Sequence, residues 1–199
     1  MAIYNVTNQL LQIDTGKALT QYWNPNQSPI SVYAQIGEIQ VPGQRYFAVG
    51  SQTAANPFGS QLVLELVYYS SIAQPAPTSA PAPVYWTDNT YTTVTGVQSE
   101  SLIGLNGLAG YMMVNTTSVP GLTAANIQGA QLLIAIAGRL VGAVAPASTV
   151  AGDWIVGAAG NWTPARVAQG TAPGYRTFGV AETAVSGGLA NILLNCDII

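Results

Sequence analysis

The chain has 199 residues, 49% of them hydrophobic and only 7% charged, with a net charge of −3. That length carries one sizeable domain, or a domain with a substantial arm or lobe, and the charge content is far below the about 25% of an ordinary soluble domain. The five basic residues Lys17, Arg45, Arg139, Arg166 and Arg176 are dispersed, so no basic stripe follows a phosphate backbone and nucleic-acid binding is excluded from the expectations.

Elements are expected in three regions. From the N-terminus to about residue 73 the chain reads as β-rich. Its first dozen residues lack a period and are expected to form an arm that reaches a neighbour. Ile30 to Ile39 alternates roughly between apolar and polar residues, as a strand does. Arg45 to Val49 reads as a strand, and Gln61 to Tyr69, rich in Val, Leu and Tyr, gives the strongest β signal in the chain. Pro42-Gly43 and Asn56-Pro57 mark turns between them.

Gln74 to Pro83 holds four prolines in ten residues. Such a run resists ladder pairing and favours extended polyproline II, so it reads as a semi-rigid spacer between two regions.

From Val84 to Ile199 short apolar segments alternate with Gly- and Pro-containing turns. Val84 to Trp86 and Tyr91 to Thr95 read as strands. Asn106-Gly107 lies between apolar residues and signals a hairpin. Gly110 to Asn115 reads as a strand and Thr123 to Gln128 as one helical turn. Gln131 to Ala137 and Leu140 to Val144 flank Gly138-Arg139 and read as a second hairpin. Trp154 to Val156, Arg166 to Ala168, Thr177 to Ala181 and Ala190 to Leu194 complete the set. The best apolar run, Leu132 to Ala145, is interrupted by Arg139 and is shorter than the about 20 residues of a membrane span. The expected fold is mainly β: a short-stranded antiparallel barrel or sandwich over 84–199, preceded by a β-rich N-terminal region or arm.

Reactive chemistry is sparse. The sequence contains no histidine, which removes Ser-His-Asp and Cys-His arrangements and the commonest metal ligand. Cys196 has no partner for a disulfide and reads as a buried, inert thiol. No phosphate-cradling glycine loop ends in Lys-Ser/Thr. The start Met1-Ala2-Ile3-Tyr4-Asn5 lacks the features of a signal peptide, so synthesis in a reducing host cytoplasm is expected. A pair of carboxylates remains as a glycosidase option. Glu65 interrupts an apolar strand and reads as a solvent-facing position, while Asp153 in Ala-Gly-Asp-Trp reads as a turn residue. No cofactor, no metal and no enzymatic activity are expected.

Three stretches carry a family likeness. Pro83-Val-Tyr-Trp-Thr-Asp-Asn-Thr-Tyr-Thr-Thr-Val opens it. Gly138-Arg-Leu-Val-Gly-Ala-Val-Ala-Pro-Ala-Ser-Thr-Val-Ala-Gly-Asp-Trp-Ile-Val-Gly follows. Ala172-Pro-Gly-Tyr-Arg-Thr-Phe-Gly-Val-Ala-Glu-Thr-Ala-Val-Ser-Gly-Gly-Leu-Ala-Asn-Ile-Leu-Leu closes it. Together the part from about residue 83 onward resembles the β-rich module of tailed-phage head decoration, or cement, proteins.

That resemblance implies a structural virion protein that binds the exterior of an assembled capsid, usually as a homotrimer, and stabilises it by bridging capsomers. The implied partner is the major capsid protein, with no nucleic acid and no membrane involved. A different virion component, such as a head fibre, tail or receptor-binding protein, is the alternative. Contacts to the capsid or to a second copy are expected at Met1, Ala2, Ile3 and Tyr4 of the arm. Arg139, Arg166 and Arg176 are further candidates, because guanidinium groups suit interface ion pairs.

Overall fold

A computed structural model describes residues 4–7, 43, 45–50, 61–70, 81–101, 104, 107–113, 131–160, 162–174 and 176–196. The chain is mainly β. Its strands are β1 (Tyr4–Thr7), β2 (Arg45–Gly50), β3 (Gln61–Tyr69), β4 (Ala82–Trp86), β5 (Thr93–Thr95), β6 (Leu108–Met112), β7 (Gln131–Val144), β8 (Trp154–Val156), β9 (Ala165–Val167), β10 (Thr177–Ala181) and β11 (Leu189–Asn195). Among the described residues the helical content is one 3-10 turn, Gln98–Glu100.

All strands join one sheet in the order β1-β2-β3-β5-β4-β6-β7-β11-β10-β8-β9, and β3 also pairs with β7. That extra pairing closes a five-stranded ring, β3-β5-β4-β6-β7, on which no edge is left between neighbours. All pairs are antiparallel except the parallel pair β3–β5.

β7 links the ring to the rest of the sheet. Ile134 and Ala135 pair with β3 on one side and β6 on the other, while Ala137 and Gly138 pair with β3 and with β11. β6 and β11 therefore lie one after the other along the same edge of β7. From β11 the sheet continues through β10 and β8 to β9. The hairpin expected at Gly138-Arg139 does not form: Gln131 to Val144 is a single strand of 14 residues. Gly138 keeps its place in the ladder, opposite Leu62 and Leu194, and the strand is interrupted by bulges, not by a turn. Ile136 is an extra residue opposite β3, and Val141-Gly142 together face Asn191 of β11. Gly138 and Gly142 have φ of 97° and 69°, conformations that side-chain-bearing residues resist. Asn191 Oδ1 accepts the Gly142 N–H at 3.2 Å, so the bulge keeps its donor satisfied.

The register sorts the buried side chains into two sets. Val67, Tyr69, Leu132, Ile134, Met112, Val84, Trp86 and Val94 alternate with Leu64, Ala135, Tyr111, Tyr85 and Leu108, and both sets are buried. Phe178 of β10 packs edge-on against Tyr85 and Tyr111, with ring centroids 5.9 and 5.2 Å away. One continuous core therefore spans the ring and the β10–β11 layer.

Several expectations change. β3 precedes the proline-rich segment yet is a stave of the ring, so residues on both sides of that segment share one core. Ala82 and Pro83, expected in the spacer, belong to β4. β5 runs beside only Tyr85 and Trp86, so Pro83 sits where one edge of the strand is open, a setting in which proline is tolerated. Asn106 of the expected hairpin lies outside the described residues; Gly107 leads into β6, whose described antiparallel partners are β4 and β7. Tyr4–Thr7 of the expected arm pairs with β2. The Ile30 to Ile39 strand and the Thr123 to Gln128 turn lie outside the described residues.

Gly179 of β10 shows how closely the paired strands β10 and β11 approach. A Cβ there would collide with the Leu193 carbonyl oxygen on β11. Gly179→Ala is therefore expected to destabilise the fold by about 1–3 kcal/mol, read as a lower midpoint in urea at unchanged slope.

Candidate functional site

The β4–β5 connection is a turn built on one carboxylate. Asp88 Oδ1 accepts the backbone N–H of Thr90 at 3.0 Å and of Thr92 at 3.2 Å, and it also accepts the Thr90 hydroxyl. Oδ2 accepts the Thr92 hydroxyl at 3.2 Å. Desolvation pushes the Asp88 carboxyl up, but hydrogen bonds from Thr93, Thr92 and Thr90 outweigh it and hold it below the usual value. This turn fixes Tyr91 at φ 55°, a conformation uncommon for an aromatic residue. The Tyr91 ring stands nearly perpendicular to Trp86, 85° between planes, with centroids 5.6 Å apart.

Below Tyr91 lies a recess of about 200 Å³ lined by Arg45, Glu65, Trp86, Tyr91, Ala109, Ile136 and Cys196. It forms where β6 leaves the edge of β7 and the end of β11 takes over. The Cys196 N–H donates to the Ile136 carbonyl at that fork. Ala109, Ile136, Trp86 and Cys196 are buried, whereas Tyr91 is 42% exposed at the rim.

Glu65 is buried, with 7% of its surface exposed, contrary to the expected solvent-facing position. The alternation argument assumes one wet face, and β3 has none there: Leu64 and Leu66 on one face and Val67 and Tyr69 on the other are also buried. Arg45 is the cross-strand neighbour of Glu65 in register, and its Nε donates to Oε2 at 3.2 Å. The pairing supplies the counter-charge that a buried carboxylate needs. Cys196 is buried as expected, and its thiol donates to the Phe178 carbonyl at 3.2 Å.

A glycosidase needs two carboxylates facing one space; this recess is lined by one, Glu65. Among the described residues no group of three or more His, Cys, Asp or Glu side chains is placed to hold a metal ion. No helix among them is long and apolar enough to cross a membrane.

The expected contact residues take the following places. Met1, Ala2 and Ile3 lie outside the described residues, and Tyr4 begins β1. Arg139 on β7 pairs with Glu182, just after β10. Arg166 on β9 donates from Nη1 to Asp153 at 2.8 Å and from Nε to the Ser148 hydroxyl at 2.9 Å. Arg176 is half-buried immediately before β10. Sequence reasoning did not single out Trp86 and Tyr91 as site residues. The available signal was local: Asp88 followed by three threonines frames Tyr91 in a tight turn.

Asp153 is a turn residue, as expected, and it is also 99% buried, since only 1% of its surface is exposed. Its Oδ2 accepts the Val150 N–H at 3.0 Å and its Oδ1 the Gln169 N–H at 3.1 Å. The Val150 bond comes first among the influences that lower its pKa. Burial opposes them, and the Arg166 guanidinium and the Gln169 N–H add to the lowering. A carboxyl depressed in the folded state stabilises the fold fully above the unfolded value of about 3.9 and loses that contribution as pH falls through the lower folded value. Asp153→Asn is expected to cost about 1.5–3 kcal/mol at pH 7 and to flatten the acid limb of the stability curve below about pH 4. Urea titrations from pH 7 to pH 2 measure both effects.

No protein-family model, curated protein or solved structure matches the chain, so the functional reading rests on residues and geometry.

Proposed function

We propose that this protein is a structural virion component that binds the outer surface of an assembled phage capsid and stabilises it by bridging capsomers. The observation that carries the reading is how charge is disposed. Arg45, Arg139 and Arg166 each sit beside a carboxylate of the same chain, Glu65, Glu182 and Asp153. In a chain with only 7% charged residues, this pairing answers three of the five basic side chains within the chain, and few ionic groups remain for a surface to carry. Another protein covers such a surface without stripping water from unpaired charges, which is the costly part of burying a polar interface. The likeness of residues 83–199 to decoration proteins names the partner as the major capsid protein and favours a homotrimer.

The mechanism needs no chemical step. A protein that binds only the assembled lattice stabilises that lattice by mass action. Many symmetric copies raise a modest affinity per site through simultaneous engagement. A second reading, a head fibre, tail or receptor-binding component, draws on the recess beneath Tyr91, a feature suited to a small ligand. Copy number in purified virions separates the two: hundreds of copies on the head favour decoration, a few at the tail favour the alternative.

Binding to expanded heads is the direct test, read by co-sedimentation. Saturable binding is expected, and because only 7% of the residues are charged it should weaken less than about threefold between 0.05 and 0.5 M salt, a range over which the Debye length shrinks severalfold. Protein that stays in the supernatant at every concentration overturns the proposal.

A further inference from the structure

We infer that the recess beneath Tyr91 binds a single neutral pyranose ring, as a terminal or branch sugar of a glycan. Its size comes first. Clefts for drug-sized molecules run to about 300–1,000 Å³, and this recess holds about 200 Å³, room for one ring.

The polar lining selects for neutrality and for hydroxyl groups. Glu65 offers carboxylate acceptors, and Arg45 beside it offers guanidinium donors and is 45% exposed on its side chain. The two charges cancel, so neither a cation nor an anion finds net attraction. A sugar hydroxyl both donates and accepts; two neighbouring hydroxyls engage the carboxylate and the guanidinium together, with the strength that charge-assisted hydrogen bonds carry.

The aromatic rim supplies the other half of the recognition. One face of a pyranose is a patch of C–H groups, and an exposed aromatic ring covers it well. Tyr91 is the exposed ring, 42% accessible, and stands against buried Trp86. Its backbone is an independent pointer to the same place. A bulky residue at φ 55° is strained, and such strain concentrates at ligand clamps. Here four hydrogen bonds to Asp88 hold the turn that carries it, so Asp88 acts as a positioning residue for the ring.

The inference does not depend on attachment to a capsid, since it concerns the chain alone. The test uses the full chain and saturation-transfer NMR against glucose, galactose, mannose and N-acetylglucosamine, with sialic acid and AMP as charged probes. At least one neutral sugar is expected to bind saturably with a millimolar Kd. Tyr91→Gly is expected to weaken it at least tenfold while melting within a few degrees of the parent, because glycine adopts this φ without steric cost. Tyr91→Phe, which keeps the ring, is expected to retain binding within about threefold. Failure of all four neutral sugars to saturate, binding of only sialic acid or AMP, or undiminished binding by Tyr91→Gly would each overturn the assignment.

Discussion

The architecture depends on one strand serving two structures at once. β7 contributes its first half to a closed ring and its second half to an open layer, because β6 and β11 share one of its edges in succession. A straight strand cannot do this. The extra residue at Ile136 and the paired residues Val141-Gly142 change its direction, as bulges do by bending a strand and increasing its twist. The core follows from the same bend. Phe178 sits edge-on to Tyr85 and Tyr111 because β10 is brought back over β4 and β6. The recess forms at the point where the shared edge changes partner, so it is a by-product of the fork and lies between rigid elements.

Charge is used inside the chain and sparingly. Asp153 is almost wholly buried and accepts two backbone N–H groups and one guanidinium, which satisfies most of what a buried carboxylate demands. It ties the turn before β8 to β9 and to Gln169, while the Gly152 N–H donates to the Ala181 carbonyl and the Ala181 N–H to the Asp153 carbonyl across the same turn. Glu65 and Asp88 follow the same rule, each answered by groups close at hand. Charges matched in this way behave differently from charge that is simply absent. Matching lets the fold keep strong directional bonds while it cancels charge locally.

Much of the fold was legible in the sequence because strands announce themselves by side-chain type. Gln61 to Tyr69, Thr177 to Ala181 and Trp154 to Val156 form strands at the positions that Val, Ile and aromatic content indicate. The errors have a common physical origin. Gly138-Arg139 reads as a turn because glycine punctuates turns, yet Gly138 pairs with Leu62 and Leu194 inside one long strand, and only the partners across the sheet decide such a case. Glu65 was read as exposed because alternation assumes that one side of a strand meets water. The candidate site was barely legible. Its lining residues run from Arg45 to Cys196, and no local pattern announces a fork in a sheet edge; only the Asp88–Tyr91 turn left a mark in the sequence.

The two aromatic residues held at positive φ, Tyr91 and Trp162, divide the labour of this fold. Trp162 spends its strain on structure. Its ring stacks on Tyr69 with centroids 5.8 Å apart and lies over Gly96, and the Trp162 backbone N–H donates to the Gly96 carbonyl at 3.1 Å. Together with the Gln98 N–H donated to Gly160 and the two-way bond between the Tyr85 hydroxyl and Ala158, it fastens the β8–β9 loop to the ring. Burial raises the Tyr85 phenol above its ordinary value, so that clamp stays protonated well past neutral pH. Tyr91 gains less: it is 42% exposed, and among the described residues its ring contact is with buried Trp86. Strain of about 1–3 kcal/mol persists in a protein only when surrounding contacts over-determine it. At Trp162 those contacts are the core itself. At Tyr91 they are the hydrogen bonds of Asp88, which hold an aromatic ring at the mouth of a recess where packing alone would not require one.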